Sequence, residues 1–157
     1  MTTTLGTTTV TQVAIVVRDI EAKARAWAEV LGMPVPPVII TDPEEVAQTK
    51  YNGQPSTARA KLAFFKLGQV SLELIEPIGE PSTWNDQLVQ HGESLHHIAF
   101  QVDGMARLLP LLAEDGMSTV QRGEYTGGRH ADAVSYKHLT LPTHHPVLIS
   151  VVAVTLK

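Results

Sequence analysis

The chain says nearly the same thing twice. Thr11-Gln12-Val13-Ala14-Ile15-Val16-Val17-Arg18-Asp19-Ile20 aligns without gaps on His96-His97-Ile98-Ala99-Phe100-Gln101-Val102-Asp103-Gly104-Met105, which sets Gln12 opposite His97. Self-similarity at a fixed period marks a duplicated structural unit. The paired residues Gln12 and His97 each carry an electron-pair donor within an otherwise apolar strand, so two halves are expected to build one site.

With 157 residues, the chain is expected to form one domain, 1–157, large enough to bury a core without disulfides or a structural metal. A first module is read over 10–76, a connector over 77–94 and a second module over 95–156. Net charge is -4, and the lysines and arginines form no run, which disfavours nucleic acid and anionic membranes as partners. The absence of cysteine excludes thiolate catalysis and zinc–thiolate sites and fits a reducing cytoplasm. The Thr-rich residues 1–9 carry no basic cluster or long apolar run and are not read as a signal peptide. No stretch approaches the roughly 18 apolar residues of a membrane span.

Residues 10–17 alternate as a strand that is apolar on both faces, hence central. Asp19 is placed as the N-cap of a helix with Ile20, Ala24, Trp27 and Leu31 at helical spacing and Gly32 as its stop. A strand is expected over 34–40 and a long loop over 41–57. Two strands, 60–67 and 69–75, turn at Gly68 and complete a βαβββ order. The connector holds a short helix capped by Ser82 or Thr83. The second half restarts with a strand over 95–102, a cap at Asp103, a helix interrupted by Pro110, and strands over 118–122 and 147–156.

Chemistry concentrates at four strand positions: Gln12 and Glu73 in the first half, and His97 and Ser150 in the second. Ser150 is matched to Glu73 by setting 70–75 against 147–152. Amide oxygen, carboxylate and imidazole together suit a divalent ion such as zinc, nickel, cobalt, manganese or magnesium. Each residue also has a purely structural reading. His97 alone would be a half-buried hydrogen-bonded side chain, Gln12 a partner for a neighbouring backbone group, and Glu73 a residue on a solvated sheet face. Glu73 is the strongest clue, because a carboxylate between Leu72 and Leu74 is costly to bury unless paired. Strand parity points Glu76 and His96 away from Glu73 and His97. Arg129, in the turn Gly127-Gly128-Arg129-His130, is a candidate contact for an anionic substrate or else part of a solvated loop. His144 and His145 are read as surface residues.

Residues 10–20, the stretch Ala26-Trp27-Ala28-Glu29-Val30-Leu31-Gly32-Met33, the stretch Ser71-Leu72-Glu73-Leu74-Ile75-Glu76-Pro77 and His96-His97-Ile98-Ala99-Phe100-Gln101-Val102 together resemble the vicinal-oxygen-chelate superfamily, which includes the glyoxalases, bleomycin resistance proteins and methylmalonyl-CoA epimerases. The resemblance spans about residues 10–130. It implies an α+β fold of two βαβββ modules in a curled mixed sheet around a central cavity, with Gln12, Glu73, His97 and a last-strand residue as metal ligands. It also implies a homodimer and a small carbonyl or acyl-CoA substrate. Two departures stand out. The first ligand is commonly histidine in the epimerases, whereas Gln12 resembles the amide ligand of some glyoxalases, and relatives carry a glutamate on the last strand where the best match here is Ser150; the epimerases' other acidic base falls around Thr57 or Ala58. Residues 134–143 are unlike the family and resemble translated sequencing-adapter sequence, implying an altered C-terminal part.

The reading that follows is a cytoplasmic, metal-dependent lyase, isomerase or epimerase that removes a proton beside a carbonyl. The alternative is a non-catalytic protein that sequesters a small molecule on the same fold. A ring-cleaving dioxygenase is disfavoured, since it needs two histidines and a carboxylate around ferrous iron.

Overall fold

The computed structural model describes residues 5–102, 104–125, 131–137 and 150–156. β1 (Val10–Val16) leads into α1 (Ile20–Leu31), whose Ile20, Ala24 and Ala28 recur every fourth residue and are buried. The start of α1 is held twice. Asp19 accepts a hydrogen bond from the Ala22 amide at 2.8 Å, and Glu76 accepts one from the Ile20 amide at 2.8 Å while also pairing with Lys61 at 3.0 Å. Glu76 thus faces away from Glu73, as parity requires, and anchors the start of the helix. Gly32 ends the helix with φ 64°, a left-handed turn that glycine adopts without strain.

The strand expected over 34–40 shrinks to β2 (Ile39–Ile40), because Pro34, Pro36 and Pro37 have no amide hydrogen to give a ladder. The expected loop over 41–57 contains α2 (Glu44–Ala47), β3 (Lys50–Tyr51) and β4 (Gln54–Pro55). β5 (Arg59–Leu67) and β6 (Val70–Ile78) form a hairpin, and α3 (Thr83–His91) starts at Ser82, whose hydroxyl accepts from the Asn85 amide. The second half runs through β7 (Ser94–Gln101), α4 (Met105–Glu114), β8 (Ser118–Tyr125), β9 (Ala131–Lys137) and β10 (Ser150–Leu156). α4 continues through Pro110, held by buried Met105, Leu108 and Leu112. Its N-cap is Gly104, with no side-chain hydrogen bond, and the expected cap Asp103 lies outside the described residues.

The ten strands of the described residues form one mixed sheet in the order β2-β5-β6-β1-β7-β10-β9-β8-β3-β4. Each half is built alike. β6 lies parallel to β1 and β10 parallel to β7, the hairpin partners β5 and β9 lie outside them, and β1 and β7 join the halves antiparallel. The sheet has to curl. Eight strand spacings separate β2 from β3, about 38 Å if flat, whereas the chain between Ile40 and Lys50, part of it helical, reaches under about 30 Å. The result is an α+β fold with a curled, unclosed sheet. α1 covers the outer face of the first half through Val17, Ile20, Phe65, Leu72 and Leu74, and α4 packs through Met105, Leu108 and Leu112 against Val102. On the inner face, Ala14, Ala60, Leu62 and Ile75 pack together beneath Trp84 of α3. No helix among the described residues is long and apolar enough to cross a membrane.

Asp19→Ala is expected to cost about 1 kcal/mol of stability, the usual loss for an N-cap. Urea unfolding followed by circular dichroism measures it, and an unchanged midpoint would mean that Glu76 alone suffices to hold the helix start.

Candidate metal centre

The site is a row of register partners across the middle of the inner face. Phe64 on β5, Glu73 on β6, Ala14 on β1 and His97 on β7 are register partners in turn, and Ser150 on β10 pairs with His97. Ala14 makes the site possible. It is fully buried and ends at Cβ, so the longer side chains from the strands on either side meet above it. Nε2 of His97 lies 3.4 Å from Oε2 of Glu73, and the two residues are only 5% and 6% exposed. A carboxylate this deep has to be matched by positive charge or by hydrogen bonds.

A β-bulge supplies the second feature. Ala14 pairs with His97 and Ile15 with Leu95, so His96 is the extra residue on β7. The expectation that His96 points away from His97 assumed an unbroken alternation and is overturned here. The bulge turns both rings together, with Nδ1 to Nδ1 at 2.7 Å, centroids 5.0 Å apart and planes at 78°. Burial, and secondarily the neighbouring His97, push the pKa of His96 down to about 3, against a weaker opposing pull from the Thr83 backbone. That pull is the direction expected of a carbonyl, although Nε2 of His96 makes no hydrogen bond of ordinary geometry. His96 is therefore a neutral ring, 2% exposed, in contact with His97.

Gln12, half-buried, lies on the same face one row away, paired with Ser71 and Ala99. Pairing of Gln12 with Ala99 and of Ala14 with His97 is the pattern of a local twofold between β1 and β7 that exchanges Gln12 with His97, as the sequence repeat predicts. Carried outward, this twofold shifts the match of 70–75 with 147–152. Glu73 pairs with Ala14, and Ala99 pairs with Val152, so Val152 rather than Ser150 holds the place of Glu73. Ser150 sits beside His97, as Ser71 does beside Gln12. Neither β10 position carries a carboxylate. Ala58 is buried just ahead of β5 and Thr57 is exposed, so no acid stands there either. Arg129, His130, His144 and His145 lie outside the described residues.

The wall above the row comes from α3 and the segment that straps the sheet edges together. Gln121 of β8 is buried and accepts from both the amide and the hydroxyl of Thr83, at 2.7 and 3.1 Å. The Tyr51 hydroxyl donates to Asp86 at 2.5 Å, and this bond, with burial and the Asp86 charge, raises the phenol pKa. Ser56 donates to the Pro81 carbonyl at 2.7 Å. Sequence reading missed these residues, since nothing local connects Tyr51 with Asp86 or Gln121 with Thr83.

The Glu73–His97 pair suits a bound cation. Two donors of a tetrahedral ion with bonds of about 2.1 Å stand about 3.4 Å apart, and carboxylate with imidazole is a donor pair for borderline divalent ions. Among the described residues no group of three or more histidine, aspartate or glutamate side chains that could hold a metal ion is present, and Gln12 lies on the same face one row away.

Residues 11–136 match the model of the glyoxalase/bleomycin resistance protein/dioxygenase superfamily. The chain belongs to this superfamily. Solved structures of the glyoxalase-like fold include a methylmalonyl-CoA epimerase from Mycobacterium tuberculosis, 16% identical with a TM-score of 0.64, covering 100% of this chain and 93% of that one. A Streptomyces coelicolor methylmalonyl-CoA epimerase (Q60A) in complex with 2-nitronate-propionyl-CoA is 19% identical, with a TM-score of 0.62 and coverage of 95% and 97%. A hypothetical protein from Bacillus halodurans C-125 is also 19% identical, at a TM-score of 0.62 and 94% coverage of both chains. At these identities the likeness is one of fold. The uncharacterized protein YqjC of Bacillus subtilis (strain 168) is 36% identical over 64 residues, 41% of this chain and 46% of its own length. The match thus spans under half of that relative.

A histidine whose folded pKa lies below its unfolded value near 6.5 contributes stability above that value, and the contribution is lost as pH falls toward the folded pKa of about 3. The metal-free protein is therefore expected to lose stability relative to His96→Gln as pH falls from about 6.5 toward 3. Parallel urea midpoints for the two proteins would contradict a buried, neutral His96.

Proposed function

We propose that this superfamily member holds a divalent cation between Glu73 and His97, with the Gln12 amide as a further donor, and acts on a small carbonyl compound of the acyl-CoA thioester class. The observation that carries the reading is the buried 3.4 Å approach of a carboxylate to an imidazole nitrogen above Ala14. When bound, the ion supplies Lewis-acid stabilisation of charge developing on a carbonyl oxygen. The chain's own part is positional. Glu73 brings the compensating negative charge, His97 a neutral donor, and the half-buried Phe64 an apolar wall in the same row. Trp84 and α3 shield the inner-face core from water. The reaction class is proton removal beside the carbonyl, as in a lyase, isomerase or epimerase, and the chain would work in the cytoplasm as a homodimer. Arg129 is proposed to contact the anionic end of the substrate.

One observation favours a second reading, sequestration without turnover. Proton transfer needs a basic group near the substrate carbon, and β10 offers Ser150 and Val152, while Thr57 and Ala58 stand around the place of the epimerases' other acidic base. The same cup with no base would bind and hold its ligand.

The readings separate in deuterium oxide. With cobalt or zinc loaded, the enzyme reading predicts exchange of the proton beside the carbonyl of a methylmalonyl or propionyl thioester, followed by proton NMR and abolished by chelator. Binding of the same thioester unaffected by chelator, with no exchange, would establish sequestration instead. Calorimetry tests the cation site itself. Stoichiometric uptake of zinc or cobalt that weakens at least tenfold in both Glu73→Gln and His97→Gln is expected, and no uptake by the parent chain would defeat the proposal. Because the twofold places Val152 opposite Glu73, Val152→Glu is expected to tighten cobalt binding more than Ser150→Glu does. The reverse order would return Ser150 to the fourth position.

A further inference from the structure

The contact between His96 and His97 is a buried polar interaction that the proposed chemistry leaves unused. Two imidazoles that meet through Nδ1 at 2.7 Å need a proton on one nitrogen and a lone pair on the other. If His96 were the donor, its Nε2 would be a bare lone pair with no hydrogen-bond donor, buried beside α3. If His97 is the donor, Nε2 of His96 carries the hydrogen instead, and since that nitrogen has no hydrogen-bond partner either way, the choice is made at His97. His97 then turns an unprotonated Nε2 toward the Glu73 carboxylate, two electron-rich atoms 3.4 Å apart in a buried site. That arrangement is stable only with positive charge between or upon them.

We infer that His96 is a positioning residue, whose Nδ1 accepts the Nδ1–H of His97 and so fixes the ring orientation and tautomer that present Nε2 to the cation position beside Glu73. The inference rests on the cation-site reading above. The bulge gives it a structural basis. Without the extra residue on β7, His96 would face the opposite side of the sheet from His97, and the ligand would need its orienting partner from elsewhere. Ligand histidines are commonly held this way through their second nitrogen, by a carboxylate or a carbonyl. Here a neighbouring imidazole takes that part.

The tautomer is read directly by long-range proton–nitrogen correlation of the histidine rings at pH 8, without metal and then with zinc. The expected pattern for the parent chain is hydrogen on Nδ1 of His97 in both states, with Nε2 unprotonated when zinc is bound. His96→Gln, whose amide oxygen still accepts, is expected to keep this pattern and to bind cobalt within about threefold of the parent. His96→Leu lacks any acceptor; its His97 should populate the other tautomer, with cobalt affinity falling about ten- to a hundredfold. Near-ultraviolet circular dichroism checks that each variant is folded, and the parent spectrum decides the tautomer without any variant. Hydrogen on Nε2 of the parent His97 in the zinc-treated protein, or identical tautomer and affinity in His96→Leu, would overturn the inference. A chain that keeps the Nδ1–H pattern but takes up neither zinc nor cobalt overturns the cation-site reading, while the hydrogen-bond assignment stands.

Discussion

Everything at the centre of this protein hangs on the antiparallel pairing of β1 with β7. The two strands come from the two halves of the chain, and among the described residues the further ladder between the halves is only the two-residue pairing of β3 with β8. Their partners β6 and β10 lie parallel on either side, so one ladder sets the register of the inner face. That register puts Ala14 between Glu73 and His97. A larger residue there would fill the space in which the carboxylate and the imidazole meet. The bulge at His96 belongs to the same ladder and determines that two successive residues, rather than one, serve the same face.

Much of the scaffold was legible in the sequence because it rests on local rules. Asp19 and Gly32 bound α1 as their side chain and backbone freedom dictate, and Ser82 caps α3. The repeat correctly identified Gln12 and His97 as exchanged by a twofold, which the strand register reproduces. The family and the curled α+β sheet followed from the same stretches. Where the reading missed, the deciding interaction was not local. The prolines at 34, 36 and 37 cut the second strand short, and the segment after Ile40 found structure because it pairs across the curl with β8.

The site was half legible. Burial of a carboxylate between leucines flagged Glu73, and its meeting with His97 needs only the parallel and antiparallel registers. Alternation misled for His96, since a bulge breaks the period of two without leaving a mark in the residues around it. The match of Ser150 to Glu73 slid by two residues, a shift that preserves facing and that β-branched runs do not resist. Tyr51 with Asp86, and Gln121 with Thr83, come together only once the sheet has curled.

The central claim is that Glu73 and His97 bracket a cation whose position His96 helps to fix. Anomalous diffraction from crystals grown with cobalt, recorded at the cobalt edge, tests it most directly. The account predicts a peak bonded to Oε2 of Glu73 and Nε2 of His97, with the His96–His97 contact retained. A fully occupied peak elsewhere on the chain, with Glu73 and His97 in direct contact and no density between them, would contradict it.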